Sequence, residues 1–256
     1  MAYQPFFHRS VFSLAAIAAL TIPNLASPAA AQQPSQLRSA PIKLSLNFKV
    51  PKRGAPTITA GGASRSFCLA GRTPLTILTP NTNLGLTTSA RPSFFVYVPK
   101  TAARSAEFVL KDSSDEDVYR ATVPLNGTPG VISLSLPETA PALQVNKSYR
   151  WFFSMVCRPG DRLEDVFVGA WVQRIQPDAS LTRAIKRATP RELPALYAEA
   201  GYWYDTLTTL ADLRRNNPDD KALAQDWQKL LQSVGLTQVS NAPLGSQQLL
   251  LSNSQK

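Results

Sequence analysis

The chain has 256 residues, with 27 Lys and Arg against 17 Asp and Glu, a formal net charge of +10, two cysteines and one histidine. That histidine is His8, so an N-terminal cleavage leaves no imidazole for a Ser-His-Asp or Cys-His site and removes a usual ligand of zinc and haem. No S-x-x-K, G-x-x-x-x-G-K or G-x-G-x-x-G occurs, so common hydrolases, zinc enzymes and nucleotide enzymes are disfavoured, and neither a metal nor a cofactor is expected.

His8 and Arg9 precede an apolar run from Val11 to Leu20, followed by Ser27-Pro28-Ala29-Ala30-Ala31. A positive start, a short apolar run and small residues at an A-x-A site predict a secretory signal peptide over residues 1–31. The run is much shorter than the roughly 20 apolar residues that cross a bilayer, so the mature chain is not expected to span a membrane. Cleavage after Ala31 removes one basic group, Arg9, and no acidic one.

Residues 32–74 are rich in Pro, Gly, Ser, Thr and Ala, and carry Arg38, Lys43, Lys49, Lys52, Arg53, Arg65 and Arg72 with no acidic residue. Such a stretch buries little apolar surface and is read as a flexible basic arm, with one edge strand suggested by the alternation of Leu44, Leu46, Phe48 and Val50. Its charge suits weak, salt-sensitive contact with an anionic surface, or simple solvation. Export and the lack of basic clusters on a regular element argue against nucleic acid.

Residues 75–176 read as a β domain. Candidate strands lie at 75–78, 93–98, 106–111, 117–123, 131–136, 148–156 and 166–175, separated by Pro99, Asp112 to Asp117, Asn126-Gly127, Pro129-Gly130 and Pro159-Gly160. Short strands at this spacing predict an immunoglobulin- or fibronectin-like β-sandwich. Leu143 and Tyr149 stand where such sandwiches place a leucine and a corner tyrosine before the penultimate strand.

Residues 177–236 switch to a helical period. Asp178 caps a helix to about Ala188, and Thr189-Pro190-Arg191-Glu192 is a capping box for a helix ending at Gly201. Two more follow, Tyr202 to Asn216 and Asp219 to Val234. Tyr197, Gly201, Trp203 and Pro218 resemble one unit of a tetratricopeptide repeat, and Leu196 and Gly201 recur as Leu230 and Gly235 at that repeat's 34-residue period. A single unit cannot stand alone and must lean on the β domain or a partner. Residues 237–256 read as a polar, disordered tail.

The fold class is therefore mainly β plus α. Asn83-Leu84-Gly85-Leu86-Thr87, Arg91-Pro92-Ser93-Phe94-Phe95-Val96-Tyr97-Val98-Pro99, Ala106-Glu107-Phe108-Val109-Leu110, Tyr149-Arg150-Trp151, Trp171-Val172-Gln173-Arg174 and Trp203-Tyr204-Asp205 carry a family resemblance. Over residues 75–236 the chain resembles the exported cyanobacterial family called domain of unknown function 928, though Ala170 replaces a glycine before the strand tryptophan. The resemblance implies export and organism type, and transfers no catalytic residue.

Several constellations are candidate sites. Cys68 and Cys157, an even pair in an exported chain, read as a disulfide, with two buried thiols as the alternative. Asp112, Asp115 and Asp117 offer hard oxygen ligands for calcium or form a solvated hairpin turn. A pair of acids, one from that loop and one from Asp161, Glu164 and Asp165, would suit glycan hydrolysis if brought about 5–9 Å apart. Tyr202 and Tyr204 are candidate partner contacts or helix core; Arg91 and Arg174 are candidate contacts or strand-end braces. The expected role is a non-catalytic binding or assembly module of the cell envelope, for a protein or glycan partner. The alternatives are a carboxylate-based glycan hydrolase and a calcium-stabilised adhesion domain.

Overall fold

The computed structural model describes Leu46, residues 48–51, the backbone at Gly61–Gly62, and residues 68–251. The predicted signal peptide and most of the basic arm lie outside the described residues.

The described residues form mixed sheets and four α-helices. The first sheet contains β1 (Gly61–Gly62), β4 (Leu84–Thr87), β7 (Ser105–Lys111), β8 (Asp117–Pro124), β10 (Ser148–Met155) and β11 (Val166–Arg174). Its order is β1-β11-β10-β7-β8, with β4 added parallel to β11 through the register Trp171 to Leu84. A second sheet contains β3 (Thr76–Ile77), β5 (Ser93–Val98), β9 (Gly130–Ser135) and β12 (Leu244–Leu249), in the order β12-β9-β5-β3. Two short strands, β2 (Leu69–Ala70) and β6 (Lys100–Thr101), pair separately.

The side-chain period explains where the core sits. Along β10, Tyr149, Trp151, Phe153 and Met155 are buried, while the alternate residues Ser148, Arg150, Phe152 and Ser154 are half-exposed, as period-2 strands require. On β5, Phe94 faces the other sheet, with its ring 5.1 Å from Phe108 and 4.8 Å from Trp151. Its neighbour Phe95 points the opposite way, toward Trp227 at 6.1 Å, and is equally buried. Hence β5 lacks a polar face: one side is covered by a sheet and the other by helices. The predicted corner is present: Tyr149 Oη accepts a hydrogen bond of 3.1 Å from the Gln144 amide, beside fully buried Leu143.

The helices are α1 (Ala179–Arg187), α2 (Leu193–Ala200), α3 (Trp203–Asn216) and α4 (Lys221–Ser233). Asp178 caps α1 by accepting from the Leu181 amide, and Asp220 caps α4 by accepting from Ala222 and Leu223. Thr189 and Glu192 make their expected contact, yet α2 starts only at Leu193 because residues 190–192 form a turn. Gly201 ends α2 in the left-handed region, at φ 79°, where a side chain would also meet the Lys49 carbonyl at 2.9 Å. Helices and sheets share one hydrophobic core: Trp203, Tyr204, Leu207, Trp227 and Leu230 belong to it with Phe94, Trp151 and Val172. No helix among the described residues is long and apolar enough to cross a membrane.

Two expectations need correction. The described part of the basic arm is docked: Phe48 packs edge-on against Trp203 at 4.7 Å, Leu46 is buried, and the Lys49 amide donates to Ala198 O at 3.0 Å. Of the alternating apolar residues that suggest an edge strand, Leu46 and Phe48 instead join the core shared with the helices, and Val50 is exposed. The supposed tail contains β12, which pairs parallel with β9. Polar groups hold it: Gln247 Nε2 donates to Ser135 Oγ at 2.5 Å, Tyr119 Oη to Leu250 O at 2.8 Å, and Leu250 N to Ser135 O at 2.9 Å.

Candidate functional site

Cys68 and Cys157 are bonded, with Cα atoms 5.5 Å apart across 89 residues of sequence. Cys68 O accepts from Thr101 Oγ1 at 2.7 Å, so the bridge ties the small β2–β6 ribbon to the end of β10. In the chain-entropy picture, closing a loop of this length stabilises the fold by about 4–5 kcal/mol.

The acidic loop from Asp112 to Asp117 is the β7–β8 hairpin turn. Asp112 Oδ1 accepts from the amides of Ser114 and Glu116 at 2.8 and 3.1 Å, and Asp115 takes a left-handed φ of 66°. Asp117 pairs with Lys111 at 2.8 Å and Arg120 at 2.6 Å, while Asp115 meets Arg150 at 2.5 Å. The hydrogen bonds from Lys111 and then Arg120 lower the Asp117 carboxyl below its ordinary value. In this turn Asp115 and Asp117 are held by cations, and no group of three or more His, Cys, Asp or Glu among the described residues is placed to hold a metal.

The second acidic loop sits at the other end of β10. Arg150 marks the end near Asp115, whereas Met155 leads to Cys157, whose amide donates to Asp165. Five residues of strand separate these ends, about 17 Å at a rise of about 3.3 Å per residue. A carboxylate pair drawn one from each loop is therefore not formed. Glu107 lies along the sheet instead, bridging Arg120 at 2.8 Å and Arg162 at 3.3 Å.

Of the four candidate contact residues, Tyr202 and Tyr204 are buried, while Arg91 and Arg174 are half-buried and engaged with backbone carbonyls. Tyr204 is fully buried: its hydroxyl accepts from Trp151 Nε1 at 2.8 Å and donates to Trp171 O at 3.3 Å, and burial pushes its pKa far up. Tyr202 is 7% exposed, and its ring stands edge-on to Tyr197 at 6.5 Å. Arg91 Nε donates to Ala140 O at 2.9 Å. Arg174 donates to Leu143 O at 2.6 Å and Thr88 O at 3.3 Å. Both arginines brace the β9–β10 connection against the end of β4.

Asp205, which sequence reasoning quotes only within a motif, has a more unusual setting. Its carboxylate lies in the first turn of α3 and accepts from the Thr88 amide at 3.0 Å and from Thr88 Oγ1 at 2.5 Å. Burial raises its carboxyl above its ordinary value, opposed by those hydrogen bonds. With Arg91, Tyr197 and Thr208 it lines a small cleft of about 120 Å³.

The roomier clefts flank β12. One, of about 420 Å³, lies against the β8–β9 loop and shares Gly245 and Ser246 with the other. That second cleft, of about 450 Å³, is walled by Arg214 and Arg215 from the end of α3, Asn217, Pro218 and Asp220 of the α3–α4 turn, Ala224 of α4, and the start of β12. Arg215 is engaged by Asp212, Gly245 O and Ser133 Oγ. Arg214 lies over the Trp227 ring at 5.2 Å, and its buried Nη1 has no hydrogen-bond partner among the described residues. In sequence, two arginines at a helix C-terminus are an ordinary complement to the helix dipole, so the pair carries no visible signal.

Among curated proteins, none matches the chain. Residues 60–244 match the family described as Domain of Unknown Function (DUF928), a span that holds all four helices and every strand before β12, and the chain belongs to that family.

Proposed function

We propose that the chain is an exported envelope protein of cyanobacterial type that acts as a non-catalytic binding or assembly module for a protein or glycan partner. The observation that carries this reading is the pair of open clefts beside β12, walled by arginine and strand backbone, in a molecule whose Asp115, Asp117 and Asp165 are held in ion pairs. Export is supported by the N-terminal pattern and by the Cys68–Cys157 bond, which suits an oxidising compartment.

A sandwich reading of the β domain is supported by the order β3-β5-β9 facing β8-β7-β10-β11, and by the Tyr149 corner. A tetratricopeptide-like reading of the helices is supported by the short α2–α3 connection through left-handed Gly201, with Trp203 buried at the junction. On this reading the helices are a fixed buttress, and the clefts at β12 meet the partner.

The test is affinity retention from envelope extract on the immobilised chain, repeated at rising salt. A specific protein or glycan retained reproducibly is the expected result. Retention of nothing above a control surface would overturn the proposal.

A further inference from the structure

We infer that the cleft between α3, α4 and β12 is an oxyanion-binding site, in which Arg214 takes a carboxylate or phosphate group of the ligand. This deepens the binding reading by assigning the chemistry of one contact.

The charges at the cleft do not balance locally. Asp212 pairs with Arg215, and Asp220, the one acid on the cleft wall, pairs with Arg191 at 2.8 Å while also capping α4. Arg214 forms no ion pair among the described residues, and the positive charge of Arg215 lies nearby. Its guanidinium is half-buried, with Cζ 5.2 Å from the centre of the Trp227 ring, and one nitrogen, Nη1, is shut away from both water and protein acceptors. Arg214 also lines the cleft, where an oxyanion would supply the counter-charge that its guanidinium lacks.

Geometry supports the same ligand class. A guanidinium offers a planar fork of donors that matches the oxygens of carboxylate or phosphate, and the Trp227 ring beneath it restricts its freedom in advance. Arg215 anchors the opposite wall by donating to Gly245 O at 3.2 Å and Ser133 Oγ at 2.6 Å, so the cleft is held open by contacts separate from Arg214. Burial and the Arg215 charge both lower the Arg214 pKa, consistent with a cation that gains from an anionic partner.

The experiment titrates the full chain at low ionic strength with inorganic phosphate, with glucuronate and with neutral glucose, reading heat and melting temperature. Saturable binding of at least one anion and none of glucose is expected; phosphate against glucuronate distinguishes the two oxyanions. Arg214→Gln should weaken that binding tenfold or more, about 1.4 kcal/mol, and Arg214→Lys should recover part of it. Ala224→Glu, on the exposed wall, should also abolish binding by supplying an internal carboxylate, and guards against misfolding of the Arg214 variant. No saturable anion binding by the wild type, or equal binding by Arg214→Gln, would overturn the inference. Extract partners retained alike by wild type and Arg214→Gln, with no anion binding, would overturn this site and leave the binding reading standing. Saturable anion binding with no retained partner would uphold the site and count against the module.

Discussion

Trp151 on β10 donates its indole N–H to the phenol oxygen of Tyr204 on α3 at 2.8 Å, with both side chains fully buried. The bond joins strand to helix inside the core, because Tyr204 also packs edge-on to Phe94 at 5.4 Å. Tyr204→Phe should therefore leave the indole N–H unsatisfied and cost about 1–3 kcal/mol. In a chain of this size each kcal/mol lowers the melting temperature by about 2–4 °C. Denaturant titration of Tyr204→Phe, Trp151→Phe and the double variant would measure the coupling; strictly additive losses would refute the shared bond.

Gly85 tests the same junction from the β4 side. A Cβ there would lie 2.4 Å from Tyr204 Cε2, a ring that is fully buried in the main core. Gly85→Ala should destabilise by about 1–3 kcal/mol through overpacking. Combined with Tyr204→Leu, which removes the obstructing ring, it should cost measurably less than the sum of the two single changes.

Much of this architecture is legible from local pattern. The alternation in β10, Asp178 before an apolar period, and Gly201 after one each encode their structure within a few residues. Tyr149 is legible because its acceptor role lies five residues away. By contrast β12, with the sequence Leu-Gly-Ser-Gln-Gln-Leu, has no alternation and is stabilised by Ser135 and Tyr119, more than a hundred residues distant. The aromatic pair Tyr202 and Tyr204 resembles an exposed contact surface only until the sheets that cover it are in place. Arg214 is equally illegible: its lack of a counterion depends on how Asp212 and Asp220 are already paired.

Two acids should give opposite pH signatures. Asp117 has a lowered carboxyl pKa, so its ion pairs add stability above the unfolded value that is lost as pH falls through the folded one. Asp205 has a raised pKa, so its contribution is present below the unfolded value and is lost as pH rises through the folded one. Asp117→Asn should flatten the acid limb of stability against pH, and Asp205→Asn the fall just above the ordinary carboxylate range. Denaturant midpoints across that interval would check both; a change of the same sign in the two variants would contradict the assignment.

The disulfide should matter more than its position at the edge suggests. Cys68 is 2% exposed and belongs to the main core, and its carbonyl accepts from Thr101 Oγ1 and Ala102 N. The paired substitution of Cys68 and Cys157 to Ser should cost about 2–5 kcal/mol. Thermal melts of oxidised, reduced and substituted chains would show it, with reductant having no effect on the double variant.

The C-terminal strand supplies the last test. Removing residues 244–256 would strip β9 of one of its two neighbours and move the sheet edge from polar β12 to the largely buried strand β9, an arrangement that invites association between chains. The loss would also free Tyr119 Oη, Ser135 Oγ and the Arg215 guanidinium from their bonds to Leu250, Gln247 and Gly245. The truncated chain should melt lower and self-associate in a concentration-dependent way by light scattering. Tyr119→Phe, which deletes one of these bonds and keeps the strand, should cost about 0.5–1.5 kcal/mol and remain monodisperse whenever the parent chain is. Equal association by both variants would mean that the edge exposed by losing β12 is not what drives it. Association by the truncation alone would establish that this polar segment, through its pairing with β9, caps the sheet.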